Sequence, residues 1–201
     1  MNLGHVQPEG CVPVLEERIN SFALVAYFPD PLAAFLDRLR RELVPSCFLH
    51  AHVTVLPPRP LQAPAEKAWD RVRRAAPGFM PFDLELTEVK VLPVTDVICI
   101  SLGRGQDELK WMHDALNAGD LGYREPFPYH PHVTVAQQLS PDQLDEFREV
   151  AARRWAEYPH HRGFRVERVT FVQNTHRNVW IDLGECELGT TKAEVLEPLL
   201  V

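Results

Sequence analysis

The stretch that decides how this chain reads is His50-Ala51-His52-Val53-Thr54-Val55, which returns as His130-Pro131-His132-Val133-Thr134-Val135. The letters His-Val-Thr-Val are identical in the two copies, and their histidines stand 80 residues apart. Each copy alternates polar with β-branched apolar residues, the pattern of a strand with one packed face. On such a strand His52 and Thr54 point one way while Val53 and Val55 point into the packing. Each copy therefore offers an imidazole and a hydroxyl about 7 Å apart along one face.

The same order of elements surrounds both copies. Phe22–Phe28 is apolar and β-favouring and stops at Pro29. Asp30 and Pro31 then open a helix that carries Leu32, Phe35, Leu36, Leu39 and Leu43 at helical spacing and ends at Pro45. The first copy lies in a strand predicted over Phe48–Leu56, closed by Pro57, Pro58 and Pro60. Ala63–Ala75 reads as a helix and Phe82–Val91 as a long alternating strand. In the second half, Val97–Leu102 is a strand, Asp107–Asn117 a helix, and Tyr129–Gln137 the strand with the second copy. Ser140 and Pro141 start a helix running to about Tyr158. Strands over Phe164–Gln173 and Val179–Leu183 follow, joined by a turn at Asn174–Asn178. Residues 1–20, with Pro8, Gly10 and Pro13, read as an extended arm.

The internal repeats span about 21–92 and 95–185. They are offset by 74 residues at the first strand and 80 at the histidines, which assigns a six-residue insertion to the Gly119–Pro128 loop. The predicted fold is α+β and bilobed: duplicated β-α-β-α-β units, two antiparallel sheets and a central cleft, with residues 21–201 as one domain. Such a duplication brings two histidines and two threonines around one concavity.

Composition narrows the partners. The chain has 201 residues, 45% of them hydrophobic and 24% charged, so it can bury a full core. No apolar run approaches the roughly 20 residues of a membrane span, and Met1–Gln7 has neither the basic nor the apolar region of a signal peptide. Lys+Arg 21 against Asp+Glu 28 gives a net charge of -7, which disfavours tracking along duplex DNA but leaves room for a small phosphate in a local pocket. Cys11, Cys47, Cys99 and Cys186 are scattered without a CxxC, as suits a reducing cytoplasm. We expect a cytoplasmic monomer with no membrane or duplex DNA partner.

Two imidazoles and two hydroxyls are a kit for phosphodiester chemistry. One imidazole removes a proton from the attacking oxygen, the other protonates the leaving oxygen, and the hydroxyls hold the non-bridging oxygens. An ordinary histidine pKa near ~6.5 lets the ring serve in either state near neutral pH.

The doubled His-x-Thr-hydrophobic pattern resembles the 2H phosphoesterase superfamily, and within it the bacterial 2'-5' RNA ligase and RNA 2',3'-cyclic phosphodiesterase group. The resemblance spans roughly Ser21–Leu183. It implies a bilobed fold with no metal and no nucleotide cofactor, and a small nucleotide or RNA terminus carrying a cyclic phosphate as substrate. Carried over, His52 is the acid, His132 the base, and Thr54 and Thr134 hold the phosphate. The chain departs from the RNA branch after the second copy, where uncharged Ala136, Gln137 and Gln138 stand in place of a basic residue. That favours hydrolysis of a small cyclic phosphate over ligation of long RNA.

Other readings use the same residues. A non-catalytic binder of phosphorylated RNA ends needs the same motifs. His50-x-His52 and His130-x-His132 also have zinc-ligand spacing, although neither pair has a neighbouring carboxylate. Tyr27 and Tyr129, beside the motifs, can stack on a base or pack in the core, and Arg59 is the cation that follows the first copy. Tyr27, Arg59 and Tyr129 are the remaining candidate substrate contacts. Phe48 reads as core, His113 as solvent-facing, and the Arg38, Arg40, Arg41 run as a solvated helix face.

Overall fold

The computed structural model describes residues 17–93 and 95–189. Of the expected N-terminal arm, residues 1–16 lie outside the described residues, while Arg18–Asn20 already belong to the first strand. The strands are β1 (Arg18–Tyr27), β2 (His52–Arg59), β3 (Phe82–Leu92), β4 (Val97–Leu102), β5 (His132–Ala136), β6 (Gly163–Val166), β7 (Arg168–Thr175) and β8 (Trp180–Glu187). The helices are α1 (Leu32–Leu43), α2 (Ala65–Ala75), α3 (Gln106–Leu116) and α4 (Pro141–Ala156).

The α+β fold has two four-stranded sheets, ordered β2-β1-β7-β8 and β5-β4-β3-β6. Every neighbouring pair is antiparallel. Each motif strand is the edge of its sheet, and the two edges, β2 and β5, lie against each other. The sheets do not divide the chain where the repeats do. β3 from the first half completes the second sheet, and β7 and β8 from the second half complete the first.

One stretch differs in kind from its sequence reading. Phe164–Gln173 is not a single strand: β6 pairs with β3, and one residue later β7 pairs with β1 and β8. Glu167 and Arg168 are both exposed, which breaks the alternation at the point where the chain changes sheets.

The helices pack by their apolar stripes. α1 buries Leu32, Leu36, Leu39 and Leu43, and Asp30 Oδ1 accepts the Ala34 N–H at its first turn. α4 begins with a Ser140–Gln143 capping box and is pinned to β3 by Trp155 Nε1–H donating to the Thr87 carbonyl at 2.6 Å. A continuous core of Leu24, Leu36, Val53, Ile98, Ile100, Val133 and Phe171 joins both sheets to these helices. No helix among the described residues is long and apolar enough to cross a membrane.

Candidate active site

The two motif copies share one burial pattern: histidine and threonine half-buried, the valines between and after them buried. Val53, Val55, Val133 and Val135 anchor the strands in the core, which turns His52, Thr54, His132 and Thr134 to the opposite face.

Both rings are held in the same way. His52 Nδ1 lies 2.7 Å from the His50 carbonyl, and His132 Nδ1 lies 2.7 Å from the His130 carbonyl. A carbonyl only accepts, so Nδ1 carries the proton in both rings and Nε2 is the free nitrogen. The residue two places before each histidine thus supplies a backbone brace. Burial lowers both histidine pKa values; that of His52 falls to about 4, with the Arg40 charge as the next cause. The charge of His132 is itself felt at His52.

Cross-strand register fills in each face. Tyr27 pairs with His52 and Val25 with Thr54, and directly paired residues share a face. Tyr27 meets the His52 ring edge-on, with centroids 6.3 Å apart, and its hydroxyl donates to Asp182 Oδ1 at 2.7 Å. Burial and this carboxylate push the Tyr27 pKa up, so the phenol stays neutral. Ala23, Val25 and Val172 form a small buried apolar cluster here, with Tyr27 and Trp180 packed against it. In the other sheet Ser101 pairs with His132, and Cys99 with both Thr134 and Lys90. Burial raises the Cys99 thiol to about 11, so it remains protonated.

Tyr129 ties the two motifs together. Its hydroxyl donates to the Thr54 carbonyl at 2.6 Å, while its ring stacks on His113 with centroids 3.9 Å apart. His113 is therefore not solvent-facing: it is 5% exposed and contacts Asp114 and Glu125 at 2.9 Å each.

Arg59 is buried, and its guanidinium is engaged within the protein. Its Nε donates to the Pro57 carbonyl, Nη1 to Asn117 Oδ1 and the Leu121 carbonyl, and Nη2 to Glu125. Its side chain is 1% exposed, and its work is to tie the end of β2 to the loop after α3. Two further expectations are corrected. Phe48 is 78% exposed, and Arg40 is buried at 4% exposure. Arg40 sits four residues after Leu36 and three before Leu43, which places it on the apolar stripe of α1.

Helix α1 braces the start of β2. Asp37 Oδ1 accepts the Ala51 N–H at 2.6 Å, Asp37 Oδ2 lies 3.3 Å from His50 Nδ1, and Arg40 Nη1 donates to the His50 carbonyl at 3.4 Å. Asp37, Arg40, Asp182 and Trp180 were not singled out by the motifs. The helical spacing of Arg40 was the one available signal. Among the described residues no three His, Cys, Asp or Glu side chains gather to hold a metal ion, so the two HxH pairs do not assemble a four-histidine site.

A family profile described as the 2'-5' RNA ligase superfamily matches residues 28–178. A protein of Halalkalibacterium halodurans, provisionally named a phosphoesterase, is 30% identical over 132 residues, which are 61% of this chain and 73% of that protein. Among solved structures, Escherichia coli LigT superposes with a TM-score of 0.61 at 17% identity, covering 86% of this chain and 98% of LigT. LigT is also known in complex with 3'-AMP, with a TM-score of 0.62 at 16% identity, covering 86% and 98% of the two chains. Kluyveromyces marxianus Usb1 with uridine monophosphate gives 0.50 at 15% identity, covering 82% and 97%.

Proposed function

Because the chain belongs to the 2'-5' RNA ligase superfamily, and so is a phosphoesterase of that group, we propose that it opens a 2',3'-cyclic phosphate on a nucleotide or RNA terminus, using His52 and His132 as acid and base. The observation that carries this reading is the matched bracing of the two rings. Each Nδ1 is committed to a backbone carbonyl, which leaves two Nε2 atoms on neighbouring edge strands for proton transfer.

In the proposed step one Nε2 accepts a proton from water as the water oxygen bonds to phosphorus. The bond from phosphorus to one ribose oxygen breaks, and that oxygen takes a proton from the other Nε2. The two rings exchange protonation states, and solvent restores them. Thr54 and Thr134 hydroxyls donate to the non-bridging oxygens as negative charge builds there. The rings of Tyr27 and Trp180, half-buried over the small core of Ala23, Val25 and Val172, suit the flat face of a nucleobase. The 3'-AMP and uridine monophosphate held by the two solved relatives agree with a nucleotide ligand.

The test is turnover of a panel of 2',3'-cyclic nucleotides, followed as release of a nucleoside monophosphate with and without exhaustive chelation. We expect turnover in both conditions. Tight binding of the cyclic nucleotide without turnover would make the protein a binding module; activity that needs added zinc would overturn the two-histidine step.

A further inference from the structure

Near His52 the first sheet carries a carboxylate that the proton transfers do not use. The strand order is β2-β1-β7-β8, and one face can be followed across it. His52 pairs with Tyr27, Ala23 with Val172, and Val172 with Asp182, and directly paired residues share a face. Ala23, Val25 and Tyr27 alternate onto that same face. The Tyr27 hydroxyl donates to Asp182 Oδ1 at 2.7 Å. Because β8 and β2 lie on opposite sides of β1, the phenol points away from His52. Its ring, packed on the Ala23, Val25 and Val172 cluster, lies between the imidazole and the carboxylate. Asp182 is exposed, and among the described residues the Tyr27 hydroxyl is its one hydrogen-bond partner. Glu185, further along β8, pairs with Arg168, whereas no cation among the described residues pairs with Asp182.

We infer that Asp182 selects the nucleobase, and that the preferred substrate is a guanosine 2',3'-cyclic phosphate. The inference rests on the cyclic-phosphate reading above and adds the identity of the base. With the phosphate held between His52 and His132, a base stacked on Tyr27 and Trp180 brings its outer edge to Asp182, at the hydroxyl end of the Tyr27 ring. A carboxylate only accepts, and Tyr27 fills one of its roughly four lone-pair sites, so both oxygens can still take an N–H. Guanine offers two adjacent donors, N1–H and the 2-amino group, which meet the two oxygens of one carboxylate in parallel. Adenine and cytosine set their amino group beside a ring-nitrogen lone pair, and uracil flanks its one N–H with carbonyl oxygens. Each of those three bases therefore turns an acceptor against the negative charge. The same charge repels phosphate, so the base and not the phosphate is turned towards β8.

The other polar side chain near this end of the sheet is already occupied. Asn174 pairs with Trp180, and its amide is committed to Asn178 and to the Thr175 N–H. Tyr27 then serves twice: its ring carries the base, and its hydroxyl fixes the carboxylate that reads the base edge. Asp182 is a specificity residue in this scheme, touching the substrate but none of the reacting atoms.

The test is kcat/KM for the 2',3'-cyclic phosphates of guanosine, inosine, adenosine, cytidine and uridine, in the wild type and in Asp182→Ala. The wild type should favour guanosine over uridine by roughly 10–100-fold, as charge-assisted hydrogen bonds allow. Inosine, which lacks the 2-amino group, should fall between them. Asp182→Ala should bring the guanosine-to-uridine ratio close to one. A wild type without a guanosine preference, inosine equal to guanosine, or a ratio unmoved in Asp182→Ala overturns the inference. Calorimetry with guanosine and uridine 3'-monophosphates adds a readout that needs no turnover. If guanosine 3'-monophosphate binds more tightly to the wild type but not to Asp182→Ala, while no cyclic nucleotide is turned over, the phosphoesterase reading falls and the base selection stands. Equal binding of the two monophosphates by the wild type overturns the base selection.

Discussion

Replacing Arg59 by Met should unfold the protein more readily and leave its affinity for a small substrate unchanged. The guanidinium makes hydrogen bonds to Pro57, Asn117, Leu121 and Glu125, and the paired side chains are 1% and 11% exposed. Methionine fills most of the volume but leaves Glu125 buried with His113 as its remaining partner. Removing one member of a buried pair costs about 3–5 kcal/mol, because the other charge loses its compensation. For a chain of this size about 2–4 °C of Tm accompanies each kcal/mol, so the midpoint should fall by roughly 6–20 °C. Adding Glu125→Gln to Arg59→Met should recover part of the loss, since no uncompensated charge then remains. Calorimetry gives the midpoints, and KM for a 2',3'-cyclic nucleotide is measured at a temperature where both proteins are folded. If Arg59→Met melts with the wild type and raises KM instead, the buried network has been misread and Arg59 meets the substrate.

Other perturbations report on the site more directly. His52→Ala and His132→Ala should each lower kcat by roughly 10²–10⁴-fold, and the double variant should be little worse than either, because both rings serve one step; steady-state rates decide this. Thr54→Ala or Thr134→Ala should cost roughly 10²-fold or less, by analogy with losing one oxyanion donor. Tyr129→Phe removes the 2.6 Å, partly buried bond to the Thr54 carbonyl and should cost about 0.5–1.5 kcal/mol in urea unfolding, the net contribution of one hydrogen bond. The His52 pKa is lowered from 6.5 to about 4 in the folded protein, so the unfolded chain binds the extra proton first as pH falls. Its contribution to stability is present above pH 6.5 and is lost as pH drops towards 4. The urea midpoint should therefore decline between pH 7 and pH 5, and His52→Gln should flatten that decline.

Much of the fold is written in local pattern. The strand at Val97–Leu102 is predicted and observed with the same bounds, and the α1 and α4 regions are marked by leucine spacing and by Ser140-Pro141. These features depend on period, caps and breakers, all of which act over a few residues. The doubled His-Val-Thr-Val is equally local: alternation alone sends both histidines and both threonines to the face opposite the valines.

Sheet membership is not local. β3 looks like the last strand of the first repeat and pairs with β4 and β6, while β7 looks continuous with β6 and pairs with β1. Nothing in an alternating run names its partner, since a backbone ladder accepts any strand whose apolar face meets the same core. The surroundings of the histidines are likewise tertiary. Residues 37 and 40 lie on a helix whose charges read as solvent-facing, until packing turns Asp37 to the Ala51 N–H and Arg40 to the His50 carbonyl. The sequence alone determined that two equivalent imidazoles exist and which way they point along their strands. Only the folded chain decided that one of them has a buried cation at its back, because charge acts through space and its strength depends on the water that folding removes.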